Sequence, residues 1–141
     1  MIIFLPWIER SFVKKNLDKT FVFGDNTERV GMGGQARAMR GEPNALGVVT
    51  KRKPTMDSDA FFSDENDDDW EEISVDLDKL CMLHMNGKTI VIPSDGLGTG
   101  LSMLDTKAPK IYSYLYDTIT KLYGQEIPWP KPKQETKEDG Q

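Results

Sequence analysis

Two glycine-rich stretches, about seventy residues apart, are the parts of this sequence whose residue types could do chemistry. The first is GDNTERVGMGG, residues 24–34, and the second is SDGLGTGL, residues 94–101. Glycine lets backbone N–H groups approach phosphate oxygens closely, and a helix starting at Gly33 or Gly34 would add partial positive charge. Between Arg29 and Lys53 there are six bases against the single acid Glu42. The pattern therefore predicts two loops that together clamp an anion such as a diphosphate.

Each loop follows an apolar run of strand length and precedes a helical pattern. Strands are predicted at residues 2–5, 20–23, 45–50 and 88–93, and helices at 33–40, about 70–84, and from Asp105 or Thr106 to Tyr123, with Pro109 in the first turn of the last helix. Residues 12–17 are ambiguous. In open α/β sheets, ligands bind beyond the carboxyl ends of the strands, where these loops would meet. The alternation predicts an α/β fold with a mostly parallel sheet.

Length and composition indicate one domain. The chain has 141 residues, which we divide into a domain over 1–124 and a flexible tail over 125–141, rich in Pro, Lys, Glu and Gln. Hydrophobic residues make up 38% of the chain, and no apolar run approaches the ~20 residues of a membrane helix. A lone Cys81 and a start without a signal pattern predict a soluble, cytoplasmic protein without membrane contact.

An acidic insertion at residues 57–72 contains nine of the 23 acidic side chains, in a chain of net charge −5. As a calcium loop it fails, because Asp69 and Val75 stand where glycine and glutamate are needed. A solvated loop leading into a helix N-terminus is favoured over a surface that binds a basic protein partner. Burial of Phe61 and Phe62 is favoured over stacking on a ligand. His84 has no ligand partners at metal spacing, so neither a metal nor a cofactor is predicted.

Three motifs resemble those of macrodomains, which bind ADP-ribose, and are closest to the branch that contains the terminal ADP-ribose protein glycohydrolases. RVGMGGQARAMR, residues 29–40, is similar to the glycine-rich loop and following helix, VTKRKPT at 49–55 to the end of the next strand, and GTGL at 98–101 to the second loop. The resemblance implies a three-layer α/β/α sandwich with a mixed, mostly parallel sheet. The chain also looks like small macrodomain-like proteins of tailed phages, which implies the host cytoplasm.

The resemblance also implies roles for individual residues. Lys51 matches the lysine that attacks the ribose anomeric carbon, a role that requires a neutral amine; Arg52 and Lys53 alongside are expected to lower its pKa. Ser102 stands where the branch has its acidic partner, and Asp105 or Asp95 could substitute for it. The other predicted ligand-binding residues are Asp25, Asn26, Arg29, Gly31, Gly33, Gly34, Gln35, Thr50, Gly96, Gly98, Thr99, Gly100 and Leu101.

Several functions stay open at this point. The chain would bind ADP-ribose or a related nucleotide, and would either remove it from an ADP-ribosylated macromolecule through Lys51 or only sense or sequester it. A third hypothesis is an acidic protein-interaction module. A fourth is a Rossmann-type NADP-binding protein, since Gly31-x-Gly33-x-x-Ala36 fits the dinucleotide pattern. The short helix before Pro43 and the lack of room for a substrate domain count against the fourth.

Overall fold

The computed structural model describes residues 1–133. Strands and helices alternate along this part of the chain. The strands are β1 (Ile2–Leu5), β2 (Lys19–Asn26), β3 (Ala45–Lys51) and β4 (Thr89–Pro93), and the helices are α1 (Arg10–Lys15), α2 (Ala36–Met39), α3 (Asp67–Met85), α4 (Leu104–Lys107) and α5 (Pro109–Tyr123), with a 3₁₀ turn at Ser58–Ala60. The predicted α/β class is confirmed, and the ambiguous residues 12–17 include the end of helix α1.

The four strands of the described residues form one sheet in the order β1-β4-β2-β3, and all its strand pairs are parallel, so the mixed sheet that the resemblance implies is not found there. Phe21 of β2 lies opposite Val91 of β4 and opposite Ala45 of β3. The β2–β3 register shifts at the end of β2, so that Asn26 pairs with Lys51. Because all strands run the same way, their carboxyl ends meet at one edge of the sheet. Both glycine loops start there, as the sequence predicts.

Helices cover both faces of this sheet because its strands alternate their side chains between two apolar cores. Successive residues of a strand point to opposite faces. One core joins strand residues Val22, Ile90 and Ile92 to helices α3 and α5, and its members include Ile73, Leu77, Ile111 and Leu115. The other joins Phe21, Phe23 and Val91 to α1 and α2 through Val13, Ala36, Ala38 and Met39. Burial on both faces explains why the strands are continuous apolar runs.

Two helices differ from the predictions. The helix after the first glycine loop spans only Ala36–Met39, not 33–40, so Gly33 and Gly34 belong to the loop and the partial positive charge expected from a longer helix is not available. The single helix predicted to end at Tyr123 is two helices, α4 and α5. Ala108 between them has φ −141° and ψ 69°, and Pro109 begins α5. The proline ring disfavours helical backbone at the residue before it, which explains the break.

Most acidic residues of the acidic insertion are exposed, but two of its polar side chains cap helices. The Asn66 side chain accepts hydrogen bonds from the N–H groups of Asp68 and Asp69 and so caps α3. Asp64 accepts from the N–H groups of Lys110 and Ile111 at 3.0–3.1 Å and so caps α5. These contacts agree with the favoured prediction of a loop and helix N-terminus. Phe61 and Phe62 are both buried, as favoured.

Part of the tail that the sequence predicts to be flexible, residues 125–141, packs on the folded domain. Ile127 and Trp129 are buried in the core. The Trp129 indole N–H donates to the carbonyl of Pro93 at 3.1 Å, and the Tyr112 hydroxyl donates to the carbonyl of Pro130 at 2.6 Å. The sequence prediction was wrong for this segment because Pro and Lys around the two apolar residues dominated its composition. Residues 134–141 of the predicted tail lie outside the described residues. None of the helices within 1–133 has the length and apolar character needed to cross a bilayer.

Candidate ligand-binding site

A cavity of about 200 Å³ lies where the carboxyl ends of β2, β3 and β4 meet. Both glycine loops line it, although they are far apart in sequence. Twelve of the predicted site residues form its wall: Asp25, Gly31, Gly33, Gly34, Gln35, Thr50, Lys51, Gly96, Gly98, Gly100, Leu101 and Ser102. Residues not singled out by the sequence also line it, namely Gly24, Val30, Ala36, Arg40, Pro54, Pro93 and Leu97. The fold therefore brings the two loops together around one space.

Five predicted site residues do not line the cavity. Asn26 donates from its amide to the Val30 carbonyl at 2.7 Å and accepts from the N–H of Glu28. Its side chain closes the turn. The others not on the wall are Arg29, Asp95, Thr99 and Asp105. The contacts described for these residues are with other protein groups around the cavity.

The second loop is held by its own threonine and by α4. The Thr99 hydroxyl donates to the Asp95 carbonyl at 2.9 Å. The N–H groups of Leu104 and Asp105 both donate to the Gly98 carbonyl, at 2.8 and 3.3 Å. Asp105 thus contacts the loop through its backbone, in the first turn of α4.

Carbonyl groups of the first loop are held by Arg40. Its Nε donates to the Gly31 carbonyl at 2.7 Å, and one terminal nitrogen donates to the Val30 carbonyl at 3.3 Å. In a planar trans peptide the N–H points opposite to the C=O, and the described chain contains no cis peptide. The N–H groups of Gly31 and Met32 therefore point away from Arg40. Arg40 was not singled out because its role depends on a contact nine residues back along the chain.

The two loops carry an unusual number of backbone donors. Within the described residues, the N–H groups of residues 30–35 and of residues 97–102 donate to no acceptor of the protein. Backbone donors that are not used for secondary structure require another partner, from water or from a ligand. Clusters of such N–H groups in glycine-rich turns are typical of anion sites. The loops can therefore supply hydrogen bonds to an anion from both sides of the cavity.

Glycine is required at Gly98 for two reasons. Its φ is +81°, in the left-handed region, and a Cβ atom there would lie 2.9 Å from the Cβ atom of Leu104. Gly100 is different, because its φ is not in that region and a Cβ atom would have no neighbour within 4 Å. Gly98 therefore shapes the loop, whereas a Cβ atom at Gly100 would meet open space.

Lys51 is a buried cation on the cavity wall, with an exposed fraction of 7%. Its Nζ donates to the Thr55 carbonyl at 2.7 Å, lies 3.5 Å from the Leu101 carbonyl, and stands 4.9 Å from the centre of the Phe61 ring. Burial lowers the pKa of Lys51, because the charged amine loses solvation. The amine joins the strand end to the second glycine loop.

The cause of this pKa shift differs from the expectation. Arg52 is paired with Asp69, with nitrogen–oxygen distances of 3.0 and 2.6 Å, and Lys53 is paired with Asp59 at 2.6 Å. These carboxylates compensate the neighbouring positive charges, so like-charge repulsion is not what lowers the pKa of Lys51. The acidic insertion provides both partners, which composition alone could not reveal.

Asp25 is the one carboxylate among the described residues that line the cavity. It is buried and pairs with Arg40, at 2.5 and 3.3 Å, and with Arg29 at 3.5 Å. Two guanidinium groups therefore compensate its charge. Ser102 lies on the wall, as the motif alignment predicts, whereas Asp95 and Asp105 do not. The cavity thus presents N–H donors and cations without an uncompensated carboxylate.

Gln35 lines the cavity, but its side chain is used elsewhere. The amide oxygen accepts from the N–H of Ile8 and the amide nitrogen donates to the carbonyl of Ile8, both at 2.9 Å. This double hydrogen bond attaches the first glycine loop to the segment that follows β1. The Gln35 side chain therefore positions the loop. Its backbone N–H has no acceptor among the described residues and is available to a ligand.

A wider groove of about 1290 Å³ runs along α5 and the C-terminal segment, and includes Tyr116, Lys121 and Glu126. It contains neither glycine loop. Its border at residues 131–133 adjoins the part of the chain that the structure does not describe. The smaller cavity at the sheet edge is the one where the chemistry of the two loops converges.

Fold and site together define an α/β protein with a glycine-loop cavity at the carboxyl edge of a parallel sheet. A model of a protein family, described as a family of unknown function (DUF7831), matches residues 3–118. The chain belongs to this family, and the matched region includes β1 except for Ile2, the other three strands and both loops. No curated protein and no solved structure matches the chain.

Proposed function

We propose that the chain binds ADP-ribose, or a related nucleotide diphosphate, in the cavity between the two glycine loops. The observation that carries this proposal is that the residues of 30–35 and 97–102, except Met32 and Thr99, line one cavity, while the N–H groups of both stretches have no acceptor among the described residues. Preorganised backbone donors are the usual way in which proteins hold phosphate groups.

The charges around the cavity support an anionic ligand. Lys51 is held by carbonyl groups rather than by a carboxylate. Asp25, the carboxylate on the wall, is compensated by Arg40 and Arg29. The local field is therefore positive, although the whole chain carries a net charge of −5. A diphosphate entering the cavity would meet no uncompensated negative side chain.

The macrodomain resemblance supports the choice of nucleotide. Its three motifs occupy the loop after β2 together with α2, the end of β3 with the residues that follow it, and the loop after β4. Helices on both faces of the sheet are compatible with a macrodomain-like three-layer sandwich. The one-turn α2 lends no support to the Rossmann alternative, which needs a longer crossover helix.

Calorimetry with ADP-ribose tests the proposal. We expect one-to-one binding, reduced at least tenfold by Gly100→Val, because Gly100 lies on the cavity wall and a Cβ atom there would meet no protein atom, so that the change should act on the ligand and not on the loop. Lys51→Met should weaken binding as well. Lys53→Met, two residues along and paired with Asp59, is the matched control and should bind normally. No heat at millimolar ADP-ribose, or normal binding by Gly100→Val, would contradict the proposal.

A second candidate function is removal of ADP-ribose from a macromolecule. The observation in its favour is the Lys51 amine, which lies on the cavity wall with a lowered pKa. A neutral amine is the form that attacks an anomeric carbon. Against it, neither Asp95 nor Asp105 reaches the wall, and Ser102 is not a base at neutral pH. The geometry therefore supports binding better than hydrolysis.

Release of ADP-ribose from a modified protein or nucleic acid distinguishes the two functions. If the chain is an enzyme, Lys51→Met abolishes release and Lys53→Met retains it. If the protein binds ADP-ribose without hydrolysis, neither the unsubstituted protein nor either variant releases ADP-ribose. Calorimetry still detects binding by the unsubstituted protein. Release that survives Lys51→Met would remove the proposed nucleophile.

A further inference from the structure

Four large apolar side chains are exposed on the segments that form the cavity, and two of them, Val30 and Leu101, belong to its wall. Val30 and Met32 lie on the first glycine loop, Met56 follows β3, and Leu101 lies on the second glycine loop. Their exposed fractions are 48%, 49%, 56% and 64%, in the same order. We call these four residues the apolar rim. Apolar side chains grouped around a cavity indicate an interaction site, whereas scattered ones do not.

Contacts between the loops show that the rim is continuous with the cavity. The Cδ1 atom of Leu101 lies 3.5 Å from the position of a Cβ atom on Gly33, which joins the two glycine loops. The sulfur of Met56 lies 3.9 Å from Nζ of Lys51. Val30 and Leu101 also form part of the cavity wall. A ligand that leaves the cavity would therefore pass directly over apolar side chains.

The size of the cavity requires part of a nucleotide to lie outside it. Sites that bury most of a drug-sized ligand have volumes of roughly 300–1,000 Å³. The cavity has about 200 Å³, which suits a diphosphate with part of a sugar. Its wall includes backbone donors and Lys51, whereas the exposed side chains of Val30 and Leu101 offer methyl groups and the Met56 thioether lies beside Lys51. Charged and uncharged parts of the ligand are thus separated.

We infer that the apolar rim receives the nucleobase of the ligand while the diphosphate lies between the glycine loops. This inference rests on the proposed function and adds the part of the ligand that the apolar rim contacts. A nucleobase has a planar face with little charge, and thioether sulfur makes favourable contacts with aromatic rings. The rim therefore selects nucleoside diphosphates and their sugars over inorganic pyrophosphate and simple sugar phosphates.

Calorimetry with pyrophosphate, ribose 5-phosphate, ADP and ADP-ribose on the full chain tests this selectivity. The rim variant is Met32→Ser/Leu101→Ser. The matched control is Met82→Ser/Met85→Ser on α3, which removes two side chains with exposed fractions of 58% and 77%. A sulfur–aromatic contact of about 0.3–1.5 kcal/mol corresponds to roughly a two- to tenfold change in affinity.

We expect ADP and ADP-ribose to bind more tightly than pyrophosphate, and the rim variant to lose this preference without a change in pyrophosphate affinity. The control variant Met82→Ser/Met85→Ser should keep the preference for ADP and ADP-ribose over pyrophosphate. Equal affinity for ADP and pyrophosphate, or an equal loss for both in the rim variant, would overturn the role of the rim and leave the anion site standing. Absence of binding by all four compounds would overturn the proposed function itself. A dimer in sedimentation that the rim variant dissociates would assign the rim to a second copy and overturn the inference.

Discussion

One guanidinium nitrogen of Arg29 donates to both carboxylate oxygens of Asp76, at 2.9 Å each. Asp76 is fully buried on α3, and it also accepts from the N–H of Val49 on β3 at 2.9 Å. Burial alone would lower the pKa of Arg29, but hydrogen bonds and charge from Asp76 raise it above its ordinary value. Arg29, predicted as a ligand-binding residue, instead fixes the first glycine loop to the helix behind the sheet.

Asp76→Ala should therefore destabilise the protein by about 3 kcal/mol, because it leaves the Val49 N–H and the Arg29 guanidinium without their partner. Urea unfolding followed by circular dichroism measures the change. Asp78→Ala, at an exposed position on the same helix, is the control and should change stability by less than about 0.5 kcal/mol. Equal effects of the two substitutions would show that the buried network has no special role.

The sequence predicts the sheet and the edge where the two loops meet well, because strand runs such as residues 90–93 are apolar throughout and the glycines mark where the strands end. It does not predict which side chains face the cavity. Asn26, Arg29 and Gln35 have residue types suited to ligand binding, yet their partners are backbone groups or a carboxylate distant in the chain. Local pattern carries no information about such partners.

Gly98→Ala and Gly100→Ala should separate the shape of the second loop from its function. Gly98→Ala forces a left-handed residue and a contact with Leu104, so we expect a loss of about 2–4 kcal/mol in stability. Gly100→Ala should leave thermal stability nearly unchanged while it weakens ADP-ribose binding. Scanning calorimetry and binding titration measure the two effects. A larger stability loss at Gly100 than at Gly98 would contradict the loop geometry.

Lys51 should titrate at lower pH than Lys53, because burial lowers the pKa of Lys51 whereas the ion pair with Asp59 raises that of Lys53. Side-chain NMR across alkaline pH measures both values. Asp59→Asn should lower the pKa of Lys53 and leave that of Lys51 in place. A return of Lys51 to its ordinary pKa in Arg52→Gln would support like-charge repulsion and contradict burial as the cause.

The same shift sets a pH dependence of stability. The folded-state pKa of Lys51 is below its ordinary value of 10.5, so between these two values the unfolded chain binds more protons than the folded chain. The free energy of unfolding of the unsubstituted protein, relative to that of Lys51→Met, should therefore rise with pH in that window. This gain in stability should be lost as the pH falls through the folded-state pKa of Lys51. Urea midpoints of both proteins at a series of pH values check the sign. A difference in unfolding free energy that falls as pH rises would mean that the folded-state pKa of Lys51 is raised.

Trp129→Ala should cost about 3–5 kcal/mol, because it empties a buried site and removes the hydrogen bond to the Pro93 carbonyl. Trp7→Ala is the matched control, since Trp7 has an exposed fraction of 52%. Thermal unfolding should separate the two by many degrees. Similar melting temperatures would indicate that the C-terminal segment is not part of the folded core.

The role of the C-terminal segment illustrates what composition conceals. Residues 125–133 contain three prolines and two lysines, which is typical of a mobile tail, yet two apolar side chains are enough to bury part of it. In the acidic insertion, likewise, nine acids suggest a solvated surface, but Asp64, Asp69 and Asp59 each have a defined partner. Composition describes the average polarity of a segment, whereas contacts of single side chains determine whether the segment packs on the domain.

Backbone amide shifts during titration with ADP-ribose test the central claim most directly, because they report on both glycine loops at once. We predict that signals from residues 30–35 and from residues 97–102 shift together and saturate at one ligand per chain, while signals from the outer face of α3 stay in place. Shifts confined to one loop, shifts only along the groove beside α5, or no shifts at millimolar ADP-ribose would contradict a site formed by the two loops.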